Sequence, residues 1–346
     1  MNHPKGLCGI DSRRLGDDCP CSVSTSKQIV LLAACALVLA TQLSSVLASE
    51  ARTRVFLNGH PIAVFFSDGD SFRMLEGPYT GANSRLAGFN TLESYGATHS
   101  WGSWNAFELW LIAKKATYNG RRGVWHCTTD GSHDTYGRVL VDCPDLIVSQ
   151  VRQGFAHAMN IDDTPSSMYI LRAQQDAIRH HRGMWAHGVP AFIITSLHSA
   201  AEDPGRAHNY NRLVSTRDGH TEKWEHHDVY HECQRVCSTE IRSDAQRVYE
   251  FARDLRARPG LGEVLADVPN LLLVELVDRY ARLGALPEYT TPEVRAAVEP
   301  ILAQAKASGE LGQTRSVQGS CMVYAAFDRR YGPNRAECFR GRNWQP

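Results

Sequence analysis

The strongest constraint on this chain is a series of short apolar runs divided by turn residues between positions 55 and 141. Residues 55–66 hold two apolar runs on either side of Asn58-Gly59, a pair that accepts the positive φ values a two-residue hairpin demands. Residues 71–75 and 84–89 read as further strands, with Gly77, Pro78, Gly81 and Asn83 turning the chain between them. Strand character returns at 123–126 and 137–141, on either side of a polar loop rich in Asp, Gly and Ser. One helix interrupts the series, because Phe107, Leu109, Trp110, Ile112 and Ala113 fall at helical spacing within 104–116. Two more follow at 146–153, opened by Pro144-Asp145 and ended by Gly154, and at 166–182. Five short strands closing on themselves, with three helices, describe an α+β unit built on an OB-like β-barrel over residues 52–188. Such barrels often bind nucleic acids or sugars, although fold alone does not fix function.

The texture changes after Gly188-Val189-Pro190. Residues 190–240 form a mixed connecting region, with strands expected at 191–197 and 210–215. Residues 241–346 read as mainly α-helical. Amphipathic stretches at 245–257, 261–283 (kinked at Pro269) and 291–307 are separated by Pro259, Gly260 and Gly284. A short helix is expected at 321–329, before a loose tail at 341–346.

Residues 1–48 form an N-terminal extension. Residues 29–48 are apolar, follow Lys27 and close on small residues, so Val46 and Ala48 fit signal-peptidase cleavage before Ser49. An uncleaved membrane anchor is the alternative, since about 20 apolar residues can span a bilayer. A lipoprotein box ending at Cys35 is a third, disfavoured by the few apolar residues before it. A secreted or periplasmic location suits the cysteines: past the expected cut, six of the ten remain, namely Cys127, Cys143, Cys233, Cys237, Cys321 and Cys338. An even number in an exported chain points to disulfides. Cys127 and Cys143 flank one expected hairpin and are a candidate pair. Cys233 and Cys237 share a face if that stretch is helical, and are candidates to pair with Cys321 and Cys338. Buried free thiols are the competing reading.

Four short signatures occur in order within the first unit: Asp68-Gly69-Asp70-Ser71 between two strands; Arg85-Leu86-Ala87-Gly88-Phe89-Asn90-Thr91-Leu92-Glu93 leaving a strand; Tyr136-Gly137-Arg138 entering one; and Val151-Arg152-Gln153-Gly154 at a helix end. Singly, each has an ordinary structural explanation, such as a bare Asp-Gly turn. As an ordered set they resemble the staphylococcal nuclease (thermonuclease) family over residues 55–188. The family shows an Asp-Gly-Asp-Thr turn, an Arg-to-Asp-Thr-Pro-Glu segment, a Tyr-Gly-Arg strand and a Val-Arg-Gln-Gly helix.

The chemistry can be argued from the residue types. Cleaving a phosphodiester needs an activated water and positive charge on the phosphoryl oxygens. A hard cation takes oxygen ligands, which Asp70, the Asn90 amide and the Thr91 backbone carbonyl can supply. Glu93 is the candidate general base, or the group that orients the water. Arg85 and Arg138 carry planar guanidiniums suited to phosphate. The resemblance implies these same roles, with Ca²⁺ as cofactor (Mg²⁺ or Mn²⁺ as alternatives) and DNA or RNA as substrate. Tyr136 is a candidate to pack against the nucleotide. Two departures stand out. Asn90 replaces an aspartate and removes a unit of ligand charge, and Leu92 replaces a proline that would fix the backbone before Glu93.

Lys plus Arg equals Asp plus Glu at 37 each. That excludes a chain coating nucleic acid by bulk charge and leaves contacts by a few arginines. The sequence therefore supports an exported metal-dependent nuclease, or a catalytically silent barrel that grips nucleic acid or protein. Farther on, His220, His226, His227 and His231 cluster, with His227 and His231 at i, i+4. A zinc site using Cys233 or Cys237 is conceivable there, against a polar histidine-rich surface segment.

Overall fold

The computed structural model describes residues 53–96, 98–202, 205 and 209–340; the segment 29–48 and the tail 341–346 lie outside them. Those residues form a mixed α+β fold with six α-helices and several small sheets, none of them closed into a barrel.

β1 (Thr53–Leu57) and β2 (His60–Asp68) make the expected hairpin, with Asn58 and Gly59 at φ values of 50° and 82°. Alternation along both strands buries Val55, Leu57, Ile62, Val64 and Phe66. β3 (Ser71–Met74) joins antiparallel to β2, and β7 (Trp125–Cys127) joins parallel to β1. The stretch expected as one strand at 84–89 breaks at Gly88, which takes φ 82°. The result is two strands: β4 (Ser84–Leu86), parallel to β8 (Val139–Val141), and β5 (Phe89–Thr91), antiparallel to β9 (Ala156–Ala158). Phe66, Phe72, Leu86, Phe89, Val139 and Leu146 belong to one apolar cluster between these pieces.

α1 (Ala106–Arg122) begins at Asn105, whose side chain accepts from the Glu108 amide while Glu108 returns a bond to the Asn105 amide. It runs past the expected end at Ala116, with Gly120 kept inside it where the Phe66 ring packs too close for a Cβ, and closes at Gly123. Leu109, Ile112, Ala113 and Ala116 form its buried stripe. α2 (Pro144–Arg152) starts on a proline, which lacks the donor a first turn cannot use, and α3 (Met168–Arg179) follows.

In the second half, β10 (Phe192–Ser196), β11 (Asn209–Ser215) and β12 (Thr221–His226) form an antiparallel sheet. β13 (Arg235–Arg242) pairs with β14 (Arg315–Val323), and β14 pairs in turn with β6 (His99–Ser100), just beyond Glu93. The helix expected at 321–329 is therefore wrong. Residues 315–323 are strand, because β13 and β6 supply partners on both sides, and only a 3₁₀ turn at Phe327–Arg329 follows. α4 (Ala245–Leu255), α5 (Asn270–Leu283) and α6 (Pro292–Ser308) bury Val248, Leu276, Val298 and Leu302 against one another. The stretch expected as a kinked helix at 261–283 is turns up to 267, and Pro269 starts α5 rather than bending it.

The six cysteines pair as Cys127–Cys143, Cys233–Cys338 and Cys237–Cys321. Cys237 lies in β13, so the helical face expected for Cys233 and Cys237 does not form. Cys127–Cys143 ties the end of β7 to the start of α2 across a separation of 16 residues. A loop of that length restricts the unfolded chain by about 3 kcal/mol. The double Cys127→Ala, Cys143→Ala variant is expected to lose about that much unfolding free energy in urea titration. An unchanged midpoint and slope would contradict the bridge.

Candidate functional site

The site starts at the turn joining β2 to β3. Gly69 sits where α1 and β5 converge. A Cβ there would stand 2.6 Å from both Ala116 Cβ and Thr91 Cγ2, so only glycine lets the three segments close. Gln150 of α2 fixes the turn by donating to the Gly69 and Ala116 carbonyls at 3.2 and 2.8 Å. Asp68 and Asp70 are thereby held on either side of a rigid point.

Asp70 is buried and accepts at Oδ2 from the Thr91 amide at 2.9 Å. The same oxygen pairs with the Arg85 guanidinium at 2.7 Å. Arg85 also donates to Asn90 Oδ1 at 2.7 Å, so one cation spans Asp70 and Asn90. Asn90 Nδ2 donates to the Thr91 carbonyl at 2.9 Å and faces His157 Nε2 at 3.4 Å. An aspartate could not make that donation, so the asparagine here is built into the network through both ends of its amide.

Glu93 completes an acidic group with Asp68 and Asp70. Part of its surface stays open to solvent, but surrounding protein and the two aspartate charges hold it well above the usual carboxylate range. Arg330, then Arg85, work in the opposite direction. Burial and then the Asp70 charge likewise raise Asp68. Carboxylates crowded in this way resist ionising together and favour an added positive charge. All the donors here are oxygens, a set that fits a hard divalent cation, and the Thr91 hydroxyl is buried without a hydrogen-bond partner. In this structure Asp70 and the Asn90 amide oxygen are taken by Arg85, and the Thr91 carbonyl by the Asn90 amide nitrogen.

Sequence reasoning therefore named Asp70, Arg85, Asn90, Thr91 and Glu93, and the fold brings these together. The other two are engaged with each other and with Asp134. Arg138 pairs with Asp134 at 2.7 Å, and Tyr136 is 80% exposed beside it. Two histidines were missed. His99 Nε2 accepts from the Glu93 amide at 3.3 Å, and burial drives its pKa down to about 3. His157 donates from Nδ1 to the Ala158 carbonyl at 3.0 Å and is held by burial at about 4. Both are neutral and brace the loop. They lie on strands of two and three residues, too short to carry a periodic signal.

A second polar group lies in the other half. Asp218, His220 and Glu275 are buried with their ligating atoms within 4.8 Å of one another, so they could hold a metal ion. His220 bonds Asp218 through Nδ1 at 2.5 Å and Glu222 through Nε2 at 2.9 Å. Arg217 reaches Glu275 and Asp278 at 3.4 and 3.2 Å, Arg282 pairs with Asp278 at 2.7 Å, and Arg279 lies 3.8 Å from Glu222. The zinc arrangement with Cys233 or Cys237 does not exist, because both sulfurs are in disulfides. His227 and His231 are exposed and share no helix.

No protein-family model matches this chain, and no curated protein does.

Burial opposes charge on His220, but its bonds to Asp218 and Glu222 outweigh that and push it up to about 9. Between pH 6.5 and 9 the folded chain holds a proton that the unfolded chain has released, so this contribution to stability falls as pH rises. Arg217, Arg279, Arg282 and Tyr289 also face the group, and Glu275, raised by burial to about 7, adds a similar decline at lower pH. In chelating buffer, unfolding free energy is expected to drop by about 3 kcal/mol over that window. His220→Gln should flatten the drop; an equal drop in the variant would contradict the assignment.

Proposed function

We propose that this chain is a metal-dependent phosphodiesterase that hydrolyses DNA or RNA outside the cytoplasm. The observation carrying this reading is the meeting of Asp68, Asp70, Arg85, Asn90, Thr91 and Glu93 from a tight turn, two strands and a loop around one acidic point. In the same reading, the pieces from β1 to β5 and from β7 to β9 are an opened OB-like barrel of the staphylococcal-nuclease type. The parallel β4–β8 pair and the packing around Phe66 and Leu86 support it. Three disulfides support a secreted or periplasmic site of action, with residues 29–48 as signal or anchor. No helix among the described residues is long and apolar enough to cross a membrane.

Each residue has a role that follows from its position. Glu93, deprotonated, aligns a water and takes its proton as the water attacks phosphorus; the opposite ester P–O bond breaks, and the departing alkoxide takes a proton from solvent. The His99 imidazole, accepting from the Glu93 amide, fixes the backbone from which that carboxylate extends. Arg85, released from Asp70 and Asn90, clamps the phosphate oxygens as charge builds on them. Asp70, Asn90 and the Thr91 carbonyl would hold a divalent cation, which would supply further positive charge to the phosphoryl group and favour ionised Glu93. Arg138 joins the clamp only by leaving Asp134.

The Arg85 bridge favours a second reading as well. A guanidinium already spanning Asp70 and Asn90 balances charge without a metal, which suits a barrel that binds nucleic acid or protein at the envelope and cleaves nothing. Nuclease assays on plasmid and single-stranded substrates in Ca²⁺, Mg²⁺, Mn²⁺ and chelator distinguish the two. Metal-dependent cleavage is expected, with Glu93→Gln lowering the rate about 10²–10⁴-fold and Asn90→Asp lowering the Ca²⁺ requirement. No cleavage in any metal, or equal cleavage by Glu93→Gln, would overturn the hydrolase reading.

A further inference from the structure

Beside the acidic group, aromatic rings form two runs joined by Lys114. Phe107 and Trp110 of α1 stack with centroids 5.7 Å apart and planes 27° from parallel. Lys114 Nζ lies 5.2 Å from the Trp110 ring centre and 4.0 Å from that of Tyr95. Tyr95 faces Tyr331 at 6.4 Å, and Tyr331 faces Phe327 at 5.7 Å. Tyr95, Tyr331 and Phe327 are 39%, 45% and 70% exposed. The line passes the site at Tyr331, which lies within the fields of Glu93 and Asp68.

Its two halves come from distant parts of the chain. β14 docks on β6 and carries the segment bearing Phe327 and Tyr331 across to the Glu93 loop. Gly96 makes room for that segment, because a Cβ there would meet Arg330 Cβ at 2.8 Å. The Arg330 guanidinium donates to the Ala325 and Leu197 carbonyls at 2.9 and 3.3 Å, and Cys338 is bridged to Cys233. The rings are thus held before any ligand arrives. Lys114 lies in the fields of Asp68, Arg121 and Arg335, and the Arg335 Nε is buried with no acceptor.

Exposed Tyr95, Tyr331 and Phe327, with half-buried Phe107 and Trp110 continuing the series and Lys114 set among the rings, fit a chain of unpaired bases on a phosphate backbone. A duplex hides its base faces in its own stack, and a neutral glycan makes no use of the cations. We propose that Phe107, Trp110, Tyr95, Tyr331 and Phe327, with Lys114 and Arg335, form a stacking track that holds single-stranded nucleic acid beside the acidic group. This extends the nucleic-acid reading above and rests on it for the choice of ligand, but binding can be measured without catalysis.

The test is fluorescence anisotropy of a labelled oligothymidylate of about 12 nucleotides with the full chain in chelating buffer. A matched duplex, inorganic polyphosphate and a neutral glucan serve as competitors. The single strand is expected to bind, with each competitor at least tenfold weaker. Tyr331→Ala and Phe327→Ala should each weaken binding about tenfold, while Tyr331→Phe retains it; circular dichroism checks that each variant is folded. Equal competition by polyphosphate, unaltered binding by both alanine variants, or preference for the glucan would overturn the track. Ring-dependent binding without cleavage in any metal would uphold the track and remove the hydrolase, and cleavage with ring-independent binding would do the reverse.

Discussion

Three carboxylates cannot share one partly enclosed space without cations, and the first half of this protein is organised around that requirement. Asp68 and Asp70 are fixed together by the Gly69 turn, which α1 and Thr91 approach too closely for any side chain. Glu93 is brought to them by the loop after β5. Arg85 answers from one side by bonding Asp70 and Asn90, and Arg330 answers from the other. The asparagine belongs to this balance: it accepts from the arginine and donates to the Thr91 carbonyl, so the bridge holds with one negative charge fewer than two aspartates would bring.

The second half is a continuation of the first in structural terms. β14 extends from β13 onto β6, and β6 carries His99, the acceptor for the Glu93 amide. The loop holding Glu93 is therefore bounded on one side by residues distant in sequence. The buried Asp218–His220–Glu222 chain lies in that same half, held by arginines of α5. Truncating the chain near residue 188 would strip a strand from the edge of the candidate site.

Local chemistry decided what the sequence could reveal. Asn58-Gly59, the Pro144 helix start and the stripe on α1 are signals contained within a few residues, and each corresponds to an element in the structure. Residues 321–329 misled because a run of Cys, Met, Val, Tyr and Ala suits a buried helix or a buried strand equally, and only distant partners choose between them. Pro269 within an apolar run suits a kink or a helix start equally, and here it is the start. Asp70, Arg85, Asn90, Thr91 and Glu93 are singled out by residue type and by an ordered set of short motifs, and the fold brings Asp70, Arg85, Asn90 and Thr91 into hydrogen-bond contact. Arg330 and Tyr331 were not legible, since nothing local records that the C-terminal segment crosses to Gly96. Asp218 and Glu222 flank His220 at two-residue spacing, a strand-type pattern that was there to be read but was masked by the denser histidines after it.

The central claim is that the space between Asp70 and Asn90 is a cation position for which Arg85 and a divalent ion compete. Crystals of the full chain grown with Mn²⁺, and measured for anomalous scattering, test it most directly. The account predicts an anomalous peak bound by Asp70 and Asn90, with the Arg85 guanidinium turned away from both. Arg85 still spanning the two residues, with manganese only at Asp218 and His220 or nowhere, would contradict it.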